Sequence, residues 1–266
     1  MSVWSFARAT LLNRDSPACA WKQPGQAARL VLGAARNALT TAQERALPGG
    51  ARECPICGWR GRRFRTFLSA DEVLPDCVCP ACRSFDRHRL IAIALRRELD
   101  ASRPRPAVLL AFAQSGCLQD FLAREGAGRC FRADFGRGPF GVDFVTDLRE
   151  AGVAGNSVDW LLCSHVLEHI AELHPCLTEM ARMLRPGGMA WIQIPVEPGI
   201  ATSRRIAVDP HHDHAHAWQF GTDVAELLRR PEWDVEERDW SAVLDPAQAR
   251  RYGIAPDERY WRLVRL

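Results

Sequence analysis

The sequence predicts an α/β fold, an open sheet with helices on both faces, preceded by a small cysteine-rich module. Residues 156–188 carry a buried strand, a helix and the approach to a second strand without interruption. Two CxxC motifs lie upstream, before the sheet begins. We therefore expect three parts: an N-terminal extension over 1–50, the cysteine-rich module with its linking helix over 51–103, and the sheet domain over 104–266.

Length and composition are compatible with this organisation. The chain has 266 residues, of which 47% are hydrophobic, enough for one full domain and a smaller module. The net charge of +3 is too small to indicate nucleic-acid binding by itself. No apolar run approaches the roughly 20 residues that span a bilayer. Arg8, Arg14 and Asp15 interrupt the segment that a signal peptide would need, so we expect a cytoplasmic protein.

The cysteines divide into a cluster and buried singles, a pattern that favours metal ligands over disulfides. Cys54 and Cys57 form one CxxC pair, and Cys79 and Cys82 form the other. Four thiolates on two short turns suit a structural zinc ion, although the intervening segment slightly exceeds the usual roughly 15 to 20 residues. Reduced structural thiols or a redox CxxC pair are the alternatives. Cys77 is an alternative to Cys79 but lacks the CxxC spacing.

The segment between the two pairs interleaves aromatic and basic side chains. Trp59, Phe64 and Phe67 alternate with several arginines, a composition that could stack bases and contact phosphates. A solvated hairpin is the simpler interpretation. A helix is predicted after the second pair, with Leu90 and Ile93 on the face that packs the module on the larger domain. His88 is expected to pack or hydrogen-bond rather than to act as a fifth ligand.

The sheet domain is expected to begin with two strands. Ala107–Phe112 is an apolar strand, followed by the turn 113–116 and a helix. Arg129–Ala133 is the second strand, ending at Asp134. This acid follows Gly116 at nearly the spacing of roughly 20 residues that is expected for a carboxylate holding ribose hydroxyls.

The central unit starts with a buried strand from Val158 to Cys163, and polar Ser164 and His165 follow where it ends. Ligands of open α/β sheets collect at such carboxyl ends. A helix follows Pro175 and stops at the run 185–188, before another strand over Met189–Val196. Glu168 is expected to cap or pair locally.

The motifs SHVLEHI and LRPGGM, with that helix between them, resemble class I S-adenosylmethionine (SAM)-dependent methyltransferases with a type 11-like domain. The resemblance implies a Rossmann-like sheet, SAM as cofactor and methyl transfer as activity. It also implies a set of cofactor-binding positions: Ala113, Gly116, Asp134, Asp147, Leu148, Ser164 and His165. The family usually carries several glycines after the first strand, whereas this chain has only Gly116 there.

The resemblance further places an acceptor-shaping loop after the fifth strand, here Asp209–Gly221. His165 and His214 are the candidate catalytic bases if the acceptor must lose a proton near neutral pH. The loop is rich in histidine, and such clusters also bind transition metals. Trp218 and Phe220 are expected to orient the acceptor.

Two other functions stay open at this point. A noncatalytic zinc ribbon that recognises RNA or protein, joined to a degenerate methyltransferase-like domain, would explain the missing glycines. A nicotinamide-dependent oxidoreductase is disfavoured because Ala113–Cys117 lacks the GxGxxG cradle for a pyrophosphate. The acceptor is unidentified, with RNA suggested by analogy to zinc-ribbon methyltransferases of ribosomal RNA and a small molecule as the alternative.

Overall fold

Two short antiparallel hairpins form the cysteine-rich module. In this computed structural model the described residues are 31–35, 37–39, 49–68, 73–113, 115–136, 141–207 and 216–266. Strand β1 (Arg52–Glu53) pairs with β2 (Arg60–Gly61), and β3 (Arg65–Leu68) pairs with β4 (Val73–Val78). We call this double hairpin with its cysteine turns, residues 52–82, the ribbon. Helix α1 (Asp86–Ala101) leads from it to the sheet.

The remaining elements are strands, helices and two 3-10 turns. In chain order they are β5 (Val108–Phe112), α2 (Gly116–Glu125), β6 (Arg129–Asp134), β7 (Phe144–Val145), β8 (Val158–Ser164), a 3-10 turn (Leu167–His169), α3 (Leu173–Met183), β9 (Leu184–Gln193), β10 (Arg204–Arg205), β11 (Trp218–Gln219), α4 (Val224–Leu228), β12 (Trp233–Asp239), a second 3-10 turn (Trp240–Ala242), α5 (Pro246–Tyr252) and β13 (Arg259–Arg265).

Seven strands form one mixed sheet in the order β12-β13-β9-β8-β5-β6-β7. Strands β9, β8, β5, β6 and β7 are parallel, whereas β13 runs antiparallel between β9 and β12. The strand order doubles back between β5 and β8, the place where ligands of open α/β sheets bind. This architecture confirms the predicted Rossmann-like sheet with helices.

Alternating side chains of the buried strands supply two separate cores. Trp160 and Leu162 of β8 face the side that α1, α2 and the ribbon cover. Leu161 and Cys163 face the opposite side, which α3 covers. This period-two pattern explains why β8 reads as a continuous apolar run, since both faces of a parallel sheet are buried. The helix α1 therefore packs the ribbon against the sheet, as predicted.

A buried arginine ties the ribbon to the C-terminal part of the chain. Arg89 has no exposed surface and donates to the carbonyl oxygens of Cys77, Ser84, Tyr252 and Gly253 at 2.6–2.9 Å. Its guanidinium also lies 4.0 Å from the centroid of the Phe64 ring. The pKa of Arg89 is lowered because burial disfavours its charge, and the four carbonyl dipoles partly offset that cost.

The aromatic side chains of the ribbon pack inward. The rings of Trp59 and Phe64 lie 5.3 Å apart, and Phe67 meets Phe85 edge-on at 5.2 Å. Phe64 is 2% exposed. The alternative that these aromatic residues form a stacking platform for bases is therefore wrong for Phe64, and Trp59 is partly buried in the same core.

Two elements differ from the sequence predictions. Helix α3 ends at Met183, so the segment around Pro186 begins β9 instead of ending the helix, with a register shift against β8. Helix α5 was not predicted, although Asp245 caps it by accepting from Gln248 N at 2.8 Å. The described part of the helix predicted over 26–39, residues 31–35 and 37–39, is helical, as predicted. No helix in the described ranges has the length and apolar content needed to cross a bilayer.

Candidate functional site

The predicted cofactor residues meet at one edge of the sheet. Parallel pairing places Phe112 of β5 between Ala133 and Cys163, so the residues that follow these strands are neighbours. Backbone hydrogen bonds continue past the strands, from Ala113 N to Ala133 O at 3.0 Å and from His165 N to Gln193 O at 2.9 Å. The carboxyl ends of β5, β6, β8 and β9 thus form a single polar edge, which we call the cofactor edge.

The turn after β5 keeps a glycine-type conformation without the glycine. Ala113 has φ of +49°, in the left-handed region that favours glycine. Ser115 precedes the first turn of α2, which begins at Gly116. The backbone therefore bends where the family's glycine-rich loop would bend, at a cost in strain of about 1–2 kcal/mol.

Asp134 ends β6 on the cofactor edge. Its Oδ1 accepts a hydrogen bond from Phe135 N at 2.7 Å, which leaves the other oxygen available on a half-buried side chain. Phe135 itself is 75% exposed. The carboxylate is thus held in place by the turn at the end of β6.

Asp147 and Leu148 follow β7. The guanidinium of Arg149 pairs with the Asp147 carboxylate at 2.6 Å and lowers its pKa through that hydrogen bond. Arg149 also reaches Glu172 at 3.1 Å. Leu148 is 3% exposed. The structure therefore engages the Asp147 side chain with an arginine, while Leu148 supplies buried apolar surface.

Ser164 ends β8 and contacts a residue that the sequence interpretation missed. Its Oγ donates to Oε1 of Gln193 at 2.9 Å, and Nε2 of Gln193 donates to the carbonyl O of Arg87 at 3.0 Å. Gln193 is 1% exposed, so this amide is a buried polar junction. The sequence feature that could have identified Gln193 is its position as the single side-chain amide inside the apolar run 189–196.

His165 stands at the centre of the edge in a strained conformation. Its φ is +55°, a value that is uncommon for residues with a side chain. Residues in such strained conformations are found most often at functional sites. Nδ1 lies 3.0 Å from Oε1 of Glu168, whose side chain is 1% exposed. Burial would raise the pKa of Glu168, but the adjoining imidazole of His165 outweighs it and the pKa lies below its ordinary value. The buried carboxylate can therefore orient the ring.

The histidine-rich segment lies only partly in the described chain. His214, the second candidate base, falls outside the described residues, as do His211 and His212. Phe220 is 1% exposed and Trp218 stacks on it with centroids 5.6 Å apart. The expectation that these two aromatics orient an acceptor is therefore wrong for Phe220, because they pack against the core on β11 and its continuation.

The ribbon brings its four predicted ligands together. The Sγ atoms of Cys54 and Cys82 lie 3.6 Å apart, those of Cys57 and Cys79 lie 3.7 Å apart, and all four lie within 4.8 Å of one another. A tetrahedral zinc ion with Zn–S bonds of about 2.3 Å would hold its sulfurs roughly 3.8 Å apart. Hydrogen bonds from Cys79 and Cys82 hold the pKa of the Cys54 thiol far below its ordinary value. The cluster therefore fits a zinc ion.

Cys77 and His88 lie apart from this cluster. The Cys77 thiol donates to Leu74 O at 3.2 Å, and burial raises its pKa to about 11. Nδ1 of His88 accepts from Phe85 N at 3.2 Å, in the capping box of α1. Burial lowers the pKa of His88 well below its ordinary value. Cys77 therefore packs and His88 caps the helix, and neither residue is part of the four-cysteine cluster.

Comparison with known proteins identifies a family and a curated relative that this chain resembles in sequence. The methyltransferase domain family matches residues 124–192, which run from the end of α2 to β9. A demethylmenaquinone methyltransferase of Corynebacterium urealyticum is 33% identical over 201 residues, covering 65% of this chain and 86% of that protein.

Solved structures with a similar fold include two methyltransferases. The 1,6-didemethyltoxoflavin-N1-methyltransferase of Burkholderia thailandensis, solved with its acceptor and S-adenosylhomocysteine, is 18% identical over 65% of this chain and 77% of that one, with a TM-score of 0.43. A SAM-dependent methyltransferase from Mesorhizobium loti is 14% identical over 64% of this chain and 94% of that one, with a TM-score of 0.45. From the family match and the curated relative, we conclude that the chain belongs to the SAM-dependent methyltransferases.

Proposed function

We propose that this protein transfers the methyl group of SAM to a small-molecule acceptor held over the cofactor edge. The observation that carries the proposal is the conjunction of three groups at that edge. The left-handed turn at Ala113, the carboxylate of Asp134 and the strained His165 all follow neighbouring parallel strands. Such an edge supports a nucleoside-type cofactor, since the backbone turn leaves room and the carboxylate can accept from ribose hydroxyls.

Each part of the edge has a role in this proposal. Ala113 and Gly116 let the backbone approach the cofactor, and Asp134 holds the ribose. Leu148 packs against the adenine, with Asp147 beside it. Ser164 and His165 border the methionine end. SAM supplies an activated methyl group, so these residues mainly align the acceptor and keep water away from the site.

Proton removal from the acceptor is assigned to His165 rather than to a residue of the ribbon. The buried Glu168 carboxylate lies 3.0 Å from Nδ1 and orients the ring, so that the other ring nitrogen can accept a proton from the acceptor. His214 remains a second proposed base from the sequence alone.

The small-molecule acceptor is preferred to RNA for two reasons. The ribbon's Phe64 and Phe67 pack on Trp59 and Phe85, so these rings serve the protein core. The curated relative is named a demethylmenaquinone methyltransferase, so the acceptor in its name is not a nucleic acid. Zinc in the ribbon then has a structural role, holding α1 against the sheet.

Calorimetry with the zinc-loaded protein tests the proposal. SAM and S-adenosylhomocysteine should both bind at one site per chain. Asp134→Ala should weaken binding by about 1.5–3 kcal/mol, roughly 10- to 150-fold, if the carboxylate makes a charge-assisted hydrogen bond to the ribose.

Asp120→Ala is the matched control, because Asp120 is an exposed acid on α2 away from the strand ends. It should leave the affinity unchanged. A protein that retains its zinc but binds neither compound would overturn the proposal in favour of a noncatalytic zinc ribbon with a degenerate domain. Equal losses in both variants would remove Asp134 from the site.

A further inference from the structure

A second group of metal-ligand side chains lies directly after β8. Glu168, His169 and His216 each offer one ligand atom, and these three atoms lie within 4.8 Å of one another. The group is separate from the ribbon cysteines and uses nitrogen and oxygen donors instead of sulfur. In the proposed function, Glu168 orients His165. That proposal assigns no role to His169 or His216.

The Glu168 carboxylate is buried, and its polar contact within the described residues is at one oxygen. The residue has no exposed surface, and neither carboxylate oxygen has a hydrogen-bond partner among the described residues. His165 approaches Oε1 to 3.0 Å as an ion-pair contact, which involves one oxygen only. A buried carboxylate oxygen that has no partner is costly, because it has lost its hydration. A cation bound to the second oxygen would remove that cost.

Backbone contacts hold the two halves of the group together. Ala217 N donates to the carbonyl O of Glu168 at 2.7 Å, which places the residue before it, His216, beside the 3-10 turn. Trp218 Nε1 donates to Ile170 O at 3.1 Å and fastens the same segment one turn further on. The two residues that follow His216 therefore anchor its segment to the 3-10 turn and to the residue after it.

The two histidine rings already face one another. The centroids of His169 and His216 lie 4.9 Å apart at an interplanar angle of 70°, an edge-to-face arrangement. Metal–nitrogen and metal–oxygen bonds of about 2.0–2.2 Å bring ligand atoms to roughly 3–3.5 Å from one another. His169 is exposed, so its ring can close the remaining distance by side-chain rotation.

We propose that Glu168, His169 and His216 bind a divalent transition-metal ion, as a site distinct from the zinc of the ribbon. Two imidazoles and one carboxylate suit zinc, iron(II) and neighbouring ions, and such three-ligand sites keep at least one coordination position open. His165 contacts the other oxygen of the ligating carboxylate, the kind of outer contact that fixes a ligand's orientation. The open position lies beside the cofactor edge, where an oxygen atom of an acceptor could occupy it.

Metal stoichiometry of the full-length protein tests this site. With the ribbon zinc in place, the protein equilibrated with micromolar Zn²⁺ and passed through a desalting column should carry two equivalents by elemental analysis. His169→Ala and His216→Ala should each reduce the content to about one equivalent. His174→Ala is the matched control, since it removes an exposed histidine on α3, and it should keep both.

Cobalt substitution assigns each equivalent to its ligands. Co²⁺ in the ribbon gives intense thiolate-to-metal charge-transfer bands, whereas Co²⁺ in the nitrogen–oxygen site gives only weak visible bands. The weak bands should disappear in His216→Ala while the thiolate bands remain. Thermal unfolding of each variant shows that it is folded, and Glu168→Gln, of nearly equal shape, should behave as the histidine variants do.

Two results would overturn the proposal. One is a wild-type protein that saturates at a single equivalent, held by the ribbon. The other is a second equivalent that survives His169→Ala and His216→Ala but is lost when His211, His212 and His214 are all replaced by alanine, because the ion would then belong to that segment alone.

Discussion

The side-chain amide of Gln193 donates from Nε2 to the carbonyl O of Arg87 at 3.0 Å, across the boundary between the cofactor edge and the first turn of α1. The same amide accepts from Ser164 Oγ at 2.9 Å. One buried side chain therefore links β8, β9 and the helix that carries the ribbon. Loss of order in the ribbon would therefore disturb the position of Ser164 at the cofactor edge through this junction.

Replacing Gln193 tests the junction. Gln193→Leu removes both hydrogen bonds and leaves Ser164 Oγ and Arg87 O with one partner fewer, so the free energy of unfolding should fall by about 1–3 kcal/mol. Gln219→Leu is the control, because that amide also makes two hydrogen bonds, to Arg204 and Glu197, but at the surface. Its cost should stay within about 0.5 kcal/mol. Equal costs in urea unfolding would mean that burial of Gln193 has no special energetic role.

The ribbon should hold one zinc ion through its four clustered cysteines. Cys79→Ser removes one of the four thiolates, and the metal content should fall by about one equivalent with local unfolding of the ribbon. Cys77→Ser should keep the metal, since the Cys77 thiol donates to Leu74 O away from the cluster. Elemental analysis of both variants checks the assignment. Retention of zinc by Cys79→Ser together with its loss from Cys77→Ser would reverse it.

Replacing Ala113 by glycine should relieve the strain of this turn and stabilise the folded protein. The left-handed conformation costs a residue with a side chain about 1–2 kcal/mol, and the greater freedom of glycine in the unfolded chain offsets about 0.5–1 kcal/mol of the gain. Ala113→Gly should therefore raise the free energy of unfolding by about 0.5–1 kcal/mol without weakening SAM binding.

The control for this change is Ala133→Gly, in β6, where φ is not positive and the methyl group is fully buried. This variant should lose stability by about 1 kcal/mol or more, from the lost packing and the added freedom of the unfolded chain. Denaturant unfolding measures both variants. A loss of stability in Ala113→Gly would show that the backbone conformation of Ala113 is not strained.

Glu258 should make the stability depend on pH. Burial, and then the carboxylate of Asp86, raise the pKa of Glu258 from 4.5 to about 8, with a smaller contribution in the same direction from Asp257 and opposing ones from Arg87 and Arg89. The folded protein therefore holds this proton after the unfolded chain has released it. The contribution of Glu258 to stability should fall as the pH rises from about 4.5 to about 8.

Glu258→Gln isolates that contribution. The neutral amide cannot ionise, so the variant should gain stability relative to the wild type as the pH rises from 5.5 to 8. The control Glu232→Gln replaces an exposed carboxylate and should show no such trend. Urea unfolding at a series of pH values gives the difference directly. A difference that does not change with pH would contradict the shifted pKa.

The sequence alone determined the elements whose signals are local. The apolar run 158–163 and the helical spacing around Leu177 and Met180 predicted β8 and α3, because burial on two faces or on one stripe leaves a periodic record. CxxC spacing likewise favoured Cys79 over Cys77, since two residues are what a tight turn needs to aim two thiols at one point.

Contacts between distant residues left no such record, and only the tertiary structure decided them. Asp159 is an acid within the apolar strand β8, and it is buried and accepts from Ala107 N and Val108 N at 2.6 and 2.7 Å. Glu168 is predicted to cap or pair locally and does pair with His165, but the fold also brings His216 beside it from far along the chain. Periodicity reports which face of an element is buried, whereas the partner of a buried charge depends on how the elements pack, which no local pattern encodes.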